Sequence, residues 1–179
     1  KQRYVSYETI KGGFGARPNK DGINAIASGI SNTMNTPIEI LEMSFPVRVD
    51  EYVLVTDSGG AGRFRGGLGA SRTWTVLDHK ARASACLERT KSAPFGLSGG
   101  KPGLAAKIWT EAPNGDKGIA PGKGGFDVPN GGQIHLRVPG SGGFGDPSER
   151  DINAIKEDVL DGYISCLLYT SPSPRDLAQ

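Results

Sequence analysis

The sequence predicts a mainly β fold with few helices, an α+β domain of short strands joined by glycine-rich turns. Glycine accounts for 27 of the 179 residues, about twice its ordinary share, and the glycines occur in clusters. Between the clusters lie short segments rich in β-branched and aromatic residues, a pattern typical of strands bounded by turns. Helical periodicity is clear only near the C-terminus, which predicts one amphipathic helix there.

Five segments are predicted to form strands. Apolar and polar residues alternate in Gln133–Val138, which predicts a strand with one buried and one solvated face. Tyr52–Thr56 is a continuous apolar run, and Ala70–Leu77 is rich in residues that favour a pleated, half-buried surface. The two remaining candidates are Leu104–Thr110 and, more weakly, Arg82–Leu87.

Two segments are predicted to be helical. In Glu149–Asp161 the aliphatic residues recur on one face, as in a helix that packs against a core. We expect Ser148 to cap its N-terminus, with Asp151 as the acidic capping-box partner, and Gly162 to end it. A second, shorter helix is predicted over Pro37–Met43.

Composition and charge exclude several classes of protein. Lysine and arginine total 21 against 19 aspartates and glutamates, giving a net charge of +2. This charge is too small and too dispersed for binding to nucleic acid or to an anionic membrane. No apolar run approaches 18 residues, so no transmembrane helix is predicted. The chain opens with Lys1 and lacks a signal peptide, and we interpret it as an internal part of a longer protein.

The two cysteines lie far apart and match no metal-ligand spacing. We expect one of them to be a buried free thiol, in a protein of a reducing compartment such as the cytoplasm. Sequence motifs for metal and nucleotide chemistry are incomplete. His79 and His135 lack a ligand spacing, and the stretch Gly118–Gly124 is one residue short of a phosphate-binding loop. No metal ligand and no catalytic residue is assigned.

The loop Asp57–Gly69 has six glycines in 13 residues. Such a loop is entropically costly, so its backbone meets a specific requirement. Two interpretations stay open. The glycines could permit close packing of turns and of a subunit interface, or their N–H groups could form an anion nest, helped by Arg63 and Arg65.

Further candidates lie at the N-terminal turns. Arg17 with Asp21 either braces a turn as a buried pair or forms part of a substrate channel. The polar residues of the segment 35–42 could brace the same region. The candidate residues for binding a substrate or an intermediate are Arg17, Asp21, Asn35, Glu39, Asp57, Ser58, Gly59, Gly60 and Arg63.

Five motifs occur in a fixed order along the chain. They are Gly12–Pro18 followed by Asp21-Gly22, Asn35–Glu42, Asp57–Gly69, Arg89-Thr90 leading to Pro94–Gly100, and Pro139–Pro147 followed by Arg150-Asp151 and Asp161–Ser165. Together they resemble the B-type component of the hydantoinase/5-oxoprolinase family, which includes N-methylhydantoinase B and the alpha subunits of acetone carboxylase. The resemblance covers about residues 4–165, as the C-terminal region of such a subunit. It ends at Cys166, and residues 166–179 are predicted to be a non-native tail.

The resemblance implies an ATP-dependent enzyme that hydrolyses the C–N bond of a cyclic amide, a hydantoin or a lactam. An A-type partner subunit with an actin-like ATPase fold, the hydantoinase A-type component, would bind ATP and phosphorylate the carbonyl oxygen. The B-type component would then help to open the activated ring. In acetone carboxylase relatives a metal site of His and Asp lies upstream of this region. The alternative is a structural and assembly module of such a complex, or of a related carboxylase, without catalytic residues of its own.

Overall fold

The computed structural model describes residues 3–27, 29–31 and 33–169. It confirms a mainly β architecture with two sheets and two short helices. The helices are α1 (Ile38–Ser44) and α2 (Ile152–Leu160). The strands are β1 (Val47–Leu54), β2 (Ala70–Val76), β3 (Ala81–Cys86), β4 (Lys107–Glu111), β5 (Lys117–Ile119), β6 (Lys123–Val128) and β7 (Gln133–Arg137).

The larger sheet is antiparallel and has the strand order β1-β2-β7-β4-β5, while β3 and β6 form a separate two-stranded sheet. All five predicted strands are present. The first begins earlier than predicted, at Val47, because it continues through charged residues that have no apolar signal. Strands β5 and β6 were not predicted, since their glycines have the composition of turns.

Strand β7 differs from its prediction because it lies in the middle of the larger sheet. All five of its residues are half-buried, so the predicted solvated face is wrong. The reason is visible at His135, whose ring stacks on Trp109 of β4 with 4.9 Å between the ring centroids. Its Nδ1 lies 3.1 Å from the hydroxyl of Thr73 on β2. Burial lowers the pKa of His135, which opposes the effect of the nearby Glu111 carboxylate.

The C-terminal helix is present, but its predicted start is wrong. Helix α2 begins at Ile152, and its N-cap is Asp151, whose carboxylate accepts the amides of residues 153 and 154. Ser148 lies in a preceding 3-10 turn. Ile152, which the pattern assigns to the packed face, is 68% exposed, whereas Asp158 is buried. Asp158 can face the interior because its carboxylate accepts hydrogen bonds from two buried arginines, Arg65 and Arg150.

The other helix predictions are confirmed. Helix α1 occupies Ile38–Ser44, and Leu41 is its buried residue. Gly162 follows α2 with φ of +73°, the left-handed conformation that ends helices and favours glycine.

Both cysteines are exposed, so the expected buried thiol is wrong: Cys86 ends β3 of the small sheet and Cys166 follows α2. Neither helix of the described part has the length and hydropathy needed to cross a membrane.

The glycine-rich segments pack against one another through their backbones. A Cβ atom added at Gly66 would lie 2.0 Å from the carbonyl oxygen of Ser141, and one at Gly140 would lie 1.9 Å from that of Ser58. Hydrogen bonds join the same segments, with 2.8 Å from the Gly60 amide to the Ser141 oxygen. Side chains larger than hydrogen are therefore excluded at these contacts, which explains the glycine requirement in this part of the fold.

Candidate functional site

Four charged residues, three of them buried and Asp21 half-buried, form a group where the glycine motifs meet. We name it the acid–arginine cluster: Asp21, Arg65, Arg150 and Asp158. Arg150 binds Asp21 in a bidentate manner, with both N–O distances at 2.8 Å, and contacts Asp158 at 2.5 Å. Arg65 contacts Asp158 through Nε at 3.1 Å and Nη2 at 3.2 Å. The two arginine side chains are only 4% and 2% exposed, so each depends on these carboxylates.

The acid–arginine cluster joins three parts of the chain, because its members come from residue 21, residue 65 and the segment 150–158. Burial on its own would raise the pKa of Asp21, but the hydrogen bonds and charge of Arg150 outweigh it, and the pKa of Asp21 is lowered. Burial opposes the charge of Arg150, yet its bonds to Asp21 raise the pKa of the guanidinium. Both groups are held in the charged state, which suits a structural brace.

The predicted pairing of Arg17 with Asp21 is wrong. The carboxylate of Asp21 accepts from Arg150 and from the amide of Arg65, the latter at 2.6 Å. Arg17 is half-buried in a turn, where its amide donates to the carbonyl oxygen of Lys20 at 2.9 Å. The sequence could not reveal the true partner, because 129 residues separate Asp21 from Arg150.

Most backbone amides in the second half of the Asp57–Gly69 loop donate hydrogen bonds to other parts of the chain. The amides of Gly60, Gly66 and Gly67 donate to the carbonyl oxygens of Ser141, Gly60 and Phe14. The next two amides along the loop donate to the side chains of residues 24 and 58. These donors are therefore occupied within the chain, and the geometry favours the packing interpretation over an anion nest.

The two arginines that could serve such a nest are also placed differently. Arg65 is buried, and its Nη1 donates to the carbonyl oxygen of Gly66 at 2.8 Å besides the contacts with Asp158. Arg63 is exposed, with its guanidinium 5.6 Å from the centroid of the Phe64 ring.

The remaining predicted site residues have local structural contacts. Ser58 is fully buried, and its Oγ donates to the Val55 oxygen and accepts the Gly69 amide. Asp57 adopts φ of +61° and accepts the amide of Ser165 at 2.7 Å. Gly59 and Gly60 are buried in the packed loop.

Two predicted site residues lie away from this loop. Asn35 donates to the carboxylate of Glu8 at 2.8 Å, and the same oxygen accepts from the fully buried Arg72 at 2.9 Å. Glu39 is exposed on α1. The structure therefore divides the nine predicted residues between the packed glycine core and separate surfaces.

An open cavity of about 240 Å³ lies where three of the motifs come together, and we name it the motif-junction pocket. It contains none of the nine predicted residues. Its lining residues are Gly15, Ala16, Arg89, Pro94, Phe95, Leu97, Ser141, Gly142 and Gly143. The first, fourth and fifth motifs thus each contribute a wall, and the central loop Asp57–Gly69 supports them from behind through the contacts to Ser141.

Arg89 is the charged residue of this lining, and sequence reasoning missed it. It adopts φ of +59°, which is uncommon for a residue with a side chain. Its carbonyl oxygen accepts the amide of Ala106 at 3.0 Å, and its guanidinium lies 6.0 Å from the centroid of the Phe95 ring. The available signal was its position at the head of the fourth motif, shortly before a glycine-containing turn.

The edge of the motif-junction pocket is apolar and open to solvent. Phe95 is 66% exposed and Leu97 is 53% exposed, and Phe14, next to Gly15, is also exposed. Exposed aromatic and aliphatic side chains beside a concave surface are typical of sites that bind ligands or partners. The described ranges contain no group of three or more His, Cys, Asp or Glu side chains able to hold a metal ion.

The class of protein follows from the comparison with known families. The family model for hydantoinase B/oxoprolinase matches residues 1–147. This chain belongs to that family, as the order of the five motifs indicates, and the motif-junction pocket is built from motifs within the matched region.

Relatives and solved structures agree with this assignment. The chain is 42% identical over 162 residues to an uncharacterized protein of Methanocaldococcus jannaschii, covering 90% of this chain and 28% of the relative. It is 32% identical over 170 residues to the B-type component of a putative D-/L-hydantoinase of a Pseudomonas species, with the same coverage. The chain thus spans little more than a quarter of these relatives.

The fold is also similar to that of a solved enzyme. The ATP-dependent caprolactamase from Pseudomonas jessenii superposes with a TM-score of 0.75 at 24% identity, over 93% of this chain and 31% of that chain. At this identity the likeness establishes the fold. It supports the α+β assignment for the region that contains the motif-junction pocket.

Proposed function

We propose that this chain is a segment of the B-type component of an ATP-dependent cyclic amidase of the cytoplasm. The component hydrolyses the C–N bond of a hydantoin or lactam ring together with an A-type ATPase partner. The observation that carries the proposal is that three motifs of a hydantoinase B/oxoprolinase family member converge on one open pocket. The similarity to the B-type component of a putative hydantoinase supports an organisation with more than one kind of subunit.

The chemistry requires two kinds of site. ATP, bound by the partner, supplies a phosphoryl group that converts the carbonyl oxygen of the amide into a better leaving group. Water then adds its oxygen to the carbonyl carbon, the C–N bond breaks, and the ring nitrogen takes up a proton, which leaves an acyl phosphate. A second water cleaves this acyl phosphate to the carboxylate and inorganic phosphate. No metal ligand is assigned to this chain, and we place any divalent metal of the whole enzyme upstream of it, as in the acetone carboxylase relatives that the motifs resemble.

In this scheme the chain supplies binding and orientation. The guanidinium of Arg89 offers a fixed positive charge beside the apolar surface of Phe95. A ring or its opened product can place its carbon skeleton on that surface while a polar group faces the arginine. The acid–arginine cluster and the packed glycine loops hold the pocket walls in place, and they have no direct part in the chemistry.

A structural and assembly module is the second candidate function. The observations that favour it are the extensive backbone packing of the glycine loops and the exposed apolar residues on the opening segment and α1, among them Ile30, Met34 and Met43. Such surfaces are suited to contact with another part of an enzyme complex. In this case the chemistry lies wholly outside the chain.

One experiment separates the two candidates. The full-length chain is produced together with its ATPase partner, and ring opening and ADP formation are measured for ε-caprolactam, hydantoin and 5-oxoproline. The variants Arg89→Gln, Arg17→Gln and Asp57→Asn are compared with Arg82→Gln, a control on an exposed ion pair.

The amidase proposal expects intact Arg89→Gln complexes with turnover reduced at least tenfold. Loss of assembly before any loss of activity per complex supports the module. The absence of ATP-dependent ring opening for every substrate contradicts the amidase proposal.

A further inference from the structure

We propose that the motif-junction pocket is an anion site, which binds the carboxylate or phosphate group of a small ring-derived molecule and discriminates against the neutral cyclic amide. This inference rests on the proposed function for the origin of the ligand. The preference for an anion is argued from the lining residues of the pocket, and it can be tested without an active complex.

The charge of the lining is the first argument. Among the nine lining residues one is ionisable, the cation Arg89, and no carboxylate lines the cavity. The guanidinium lies over the Phe95 ring at 6.0 Å from the centroid, the outer limit of a cation–π contact, so the ring attracts it weakly and leaves its N–H groups open to solvent. A planar guanidinium is also the side chain best matched to the two oxygens of a carboxylate or phosphate.

The hydrogen-bonding state of the lining is the second argument. Within the part of the chain that the structure describes, the guanidinium of Arg89 forms no salt bridge, and the amides of Gly15, Phe95 and Gly142 donate to no backbone acceptor. Other lining amides are already in use: for example, the amide of Gly143 donates to the Lys101 oxygen at 3.0 Å. Within the same described part of the chain, the carbonyl oxygens of Gly15, Ala16 and Phe95 likewise accept no backbone amide. The lining therefore has free groups of both kinds, and the full charge of Arg89 is what favours an anion.

The contrast with other arginines of the fold strengthens this interpretation. Arg65, Arg72 and Arg150 are all buried and each has a carboxylate partner. Arg82, which is exposed, is also paired. Arg89, like Arg17 and Arg137, has no salt bridge among the described residues. What distinguishes Arg89 is that it lines an open cavity and has a backbone conformation that residues with side chains rarely adopt.

Size and polarity define the rest of the ligand. A cavity of about 240 Å³ is at the small end of ligand sites, which are typically ~300–1,000 Å³. Pro94, Phe95 and Leu97 provide an apolar wall. The occupant is therefore a small molecule with an apolar skeleton and one anionic group.

The reaction itself creates such molecules. Hydrolysis of a neutral cyclic amide breaks the C–N bond and forms a C–O bond, so the product has a carboxylate that the ring lacked. Activation by a phosphoryl group also adds negative charge. Binding at Arg89 would therefore favour the activated amide and the opened product over the neutral ring. Contacts that are stronger with the activated amide than with the ring lower the barrier to its opening.

Matched probes test this inference. Isothermal titration of the full-length chain compares 5-oxoproline with 2-pyrrolidinone, which is the same ring without the carboxylate. We expect 5-oxoproline and 6-aminohexanoate to bind at least tenfold more tightly than 2-pyrrolidinone and ε-caprolactam. A parallel titration with inorganic phosphate distinguishes the two sources of the anion: competition by phosphate at lower concentrations than the carboxylates identifies a phosphate-bearing ligand, and the reverse identifies the carboxylate.

Two variants assign the effect to the pocket. Arg89→Gln should weaken binding of the anionic probes at least tenfold, while Arg82→Gln, on the two-stranded sheet, leaves it unchanged. Gly15→Val narrows the cavity at a position where a Cβ atom meets nothing within 4 Å, so the fold is retained while all probes bind more weakly. Unfolding curves confirm that each variant is folded.

The inference is overturned if the neutral and anionic rings bind equally, or if folded Arg89→Gln binds the anions as tightly as the unchanged protein. It is distinguishable from the proposed function. Anion-selective binding without ATP-dependent ring opening supports the site and contradicts the amidase, whereas ring opening that is insensitive to Arg89→Gln, with no anion preference, contradicts the site alone.

Discussion

The acid–arginine cluster and the motif-junction pocket are built from neighbouring segments, but their arginines differ in burial and in pairing with carboxylates. In the cluster, Arg65 and Arg150 are buried and each contacts a carboxylate within 3.2 Å. In the pocket, Arg89 is exposed, lies over the Phe95 ring at 6.0 Å from its centroid and has a left-handed backbone conformation. The first arrangement uses its charge to join distant segments, and the second keeps its charge available to a ligand.

The same contrast applies to the glycines. Gly66 is required because the backbone of residue 141 lies where its side chain would be. Gly15, at the pocket, has open space around the position of a Cβ atom. A glycine-rich sequence therefore has two structural meanings in one chain, and the neighbours of each glycine in space decide which one applies.

The largest expected effect is on the acid–arginine cluster. Arg150→Met removes the cation between Asp21 and Asp158, so the half-buried Asp21 loses its bidentate partner and the buried Asp158 keeps only Arg65. Breaking a buried ion pair from one side costs about 3–5 kcal/mol of the free energy of unfolding. Urea unfolding of the full-length chain measures this loss. The control Arg82→Met, at an exposed pair, should change stability by less than about 0.5 kcal/mol. A cost below ~1 kcal/mol for Arg150→Met would contradict the bracing role.

A somewhat smaller effect is expected from added side chains in the glycine loops. Gly66→Ala places a Cβ atom 2.0 Å from the oxygen of Ser141, and the resulting shift should cost about 1–3 kcal/mol. Gly15→Ala meets no atom within 4 Å and should leave stability unchanged, or raise it by about 0.4–1 kcal/mol through the unfolded state. Thermal unfolding compares the two, and equal stabilities would refute the distinction between packed and open glycines.

The effect of pH on Asp21 is expected to be the smallest. Burial opposes ionisation of Asp21, but Arg150 prevails and the pKa of the carboxyl lies below its ordinary value of 3.8. The ion pair therefore stabilises the fold above that value, and the contribution is lost as the pH falls through the lower pKa of the folded state. In Asp21→Asn the free energy of unfolding should decline less steeply below about pH 4. Parallel pH profiles for the two proteins would show that Asp21 is not the group responsible.

Much of the fold follows from the sequence because its signals are local. The alternation in Gln133–Val138 and the β-branched run in Ala70–Leu77 locate two central strands within one or two residues. The start of α2 was misplaced because Ser148 and Asp151 both suit an N-cap, and only the tertiary structure selects Asp151. Strand β6 escaped prediction because Gly124 and Gly125 have the composition of a turn, although Val128 at its end is fully buried.

The site was harder to predict than the fold. The motifs correctly indicated the hydantoinase B family, but the residues chosen within them were mostly the most unusual in sequence, the glycines and polar residues of Asp57–Gly69. These residues support the packing of the core. Arg89 lacks a distinctive local pattern. The other walls of its pocket come from residues of the first and fifth motifs that lie more than 40 residues before and after the fourth motif in sequence. The tail boundary at residue 166 stays a prediction, and residues 170–179 lie outside the described residues.

The most direct test of the division between scaffold and site is the turnover of Arg89→Gln relative to its stability. The full-length chain is assembled with its ATPase partner, and ATP-dependent opening of a cyclic amide is measured beside urea unfolding. We predict at least a tenfold loss of kcat/KM with the free energy of unfolding preserved within about 0.5 kcal/mol. Full activity in this variant, or a loss of activity that only follows a loss of stability, would contradict the assignment of the motif-junction pocket as the functional site.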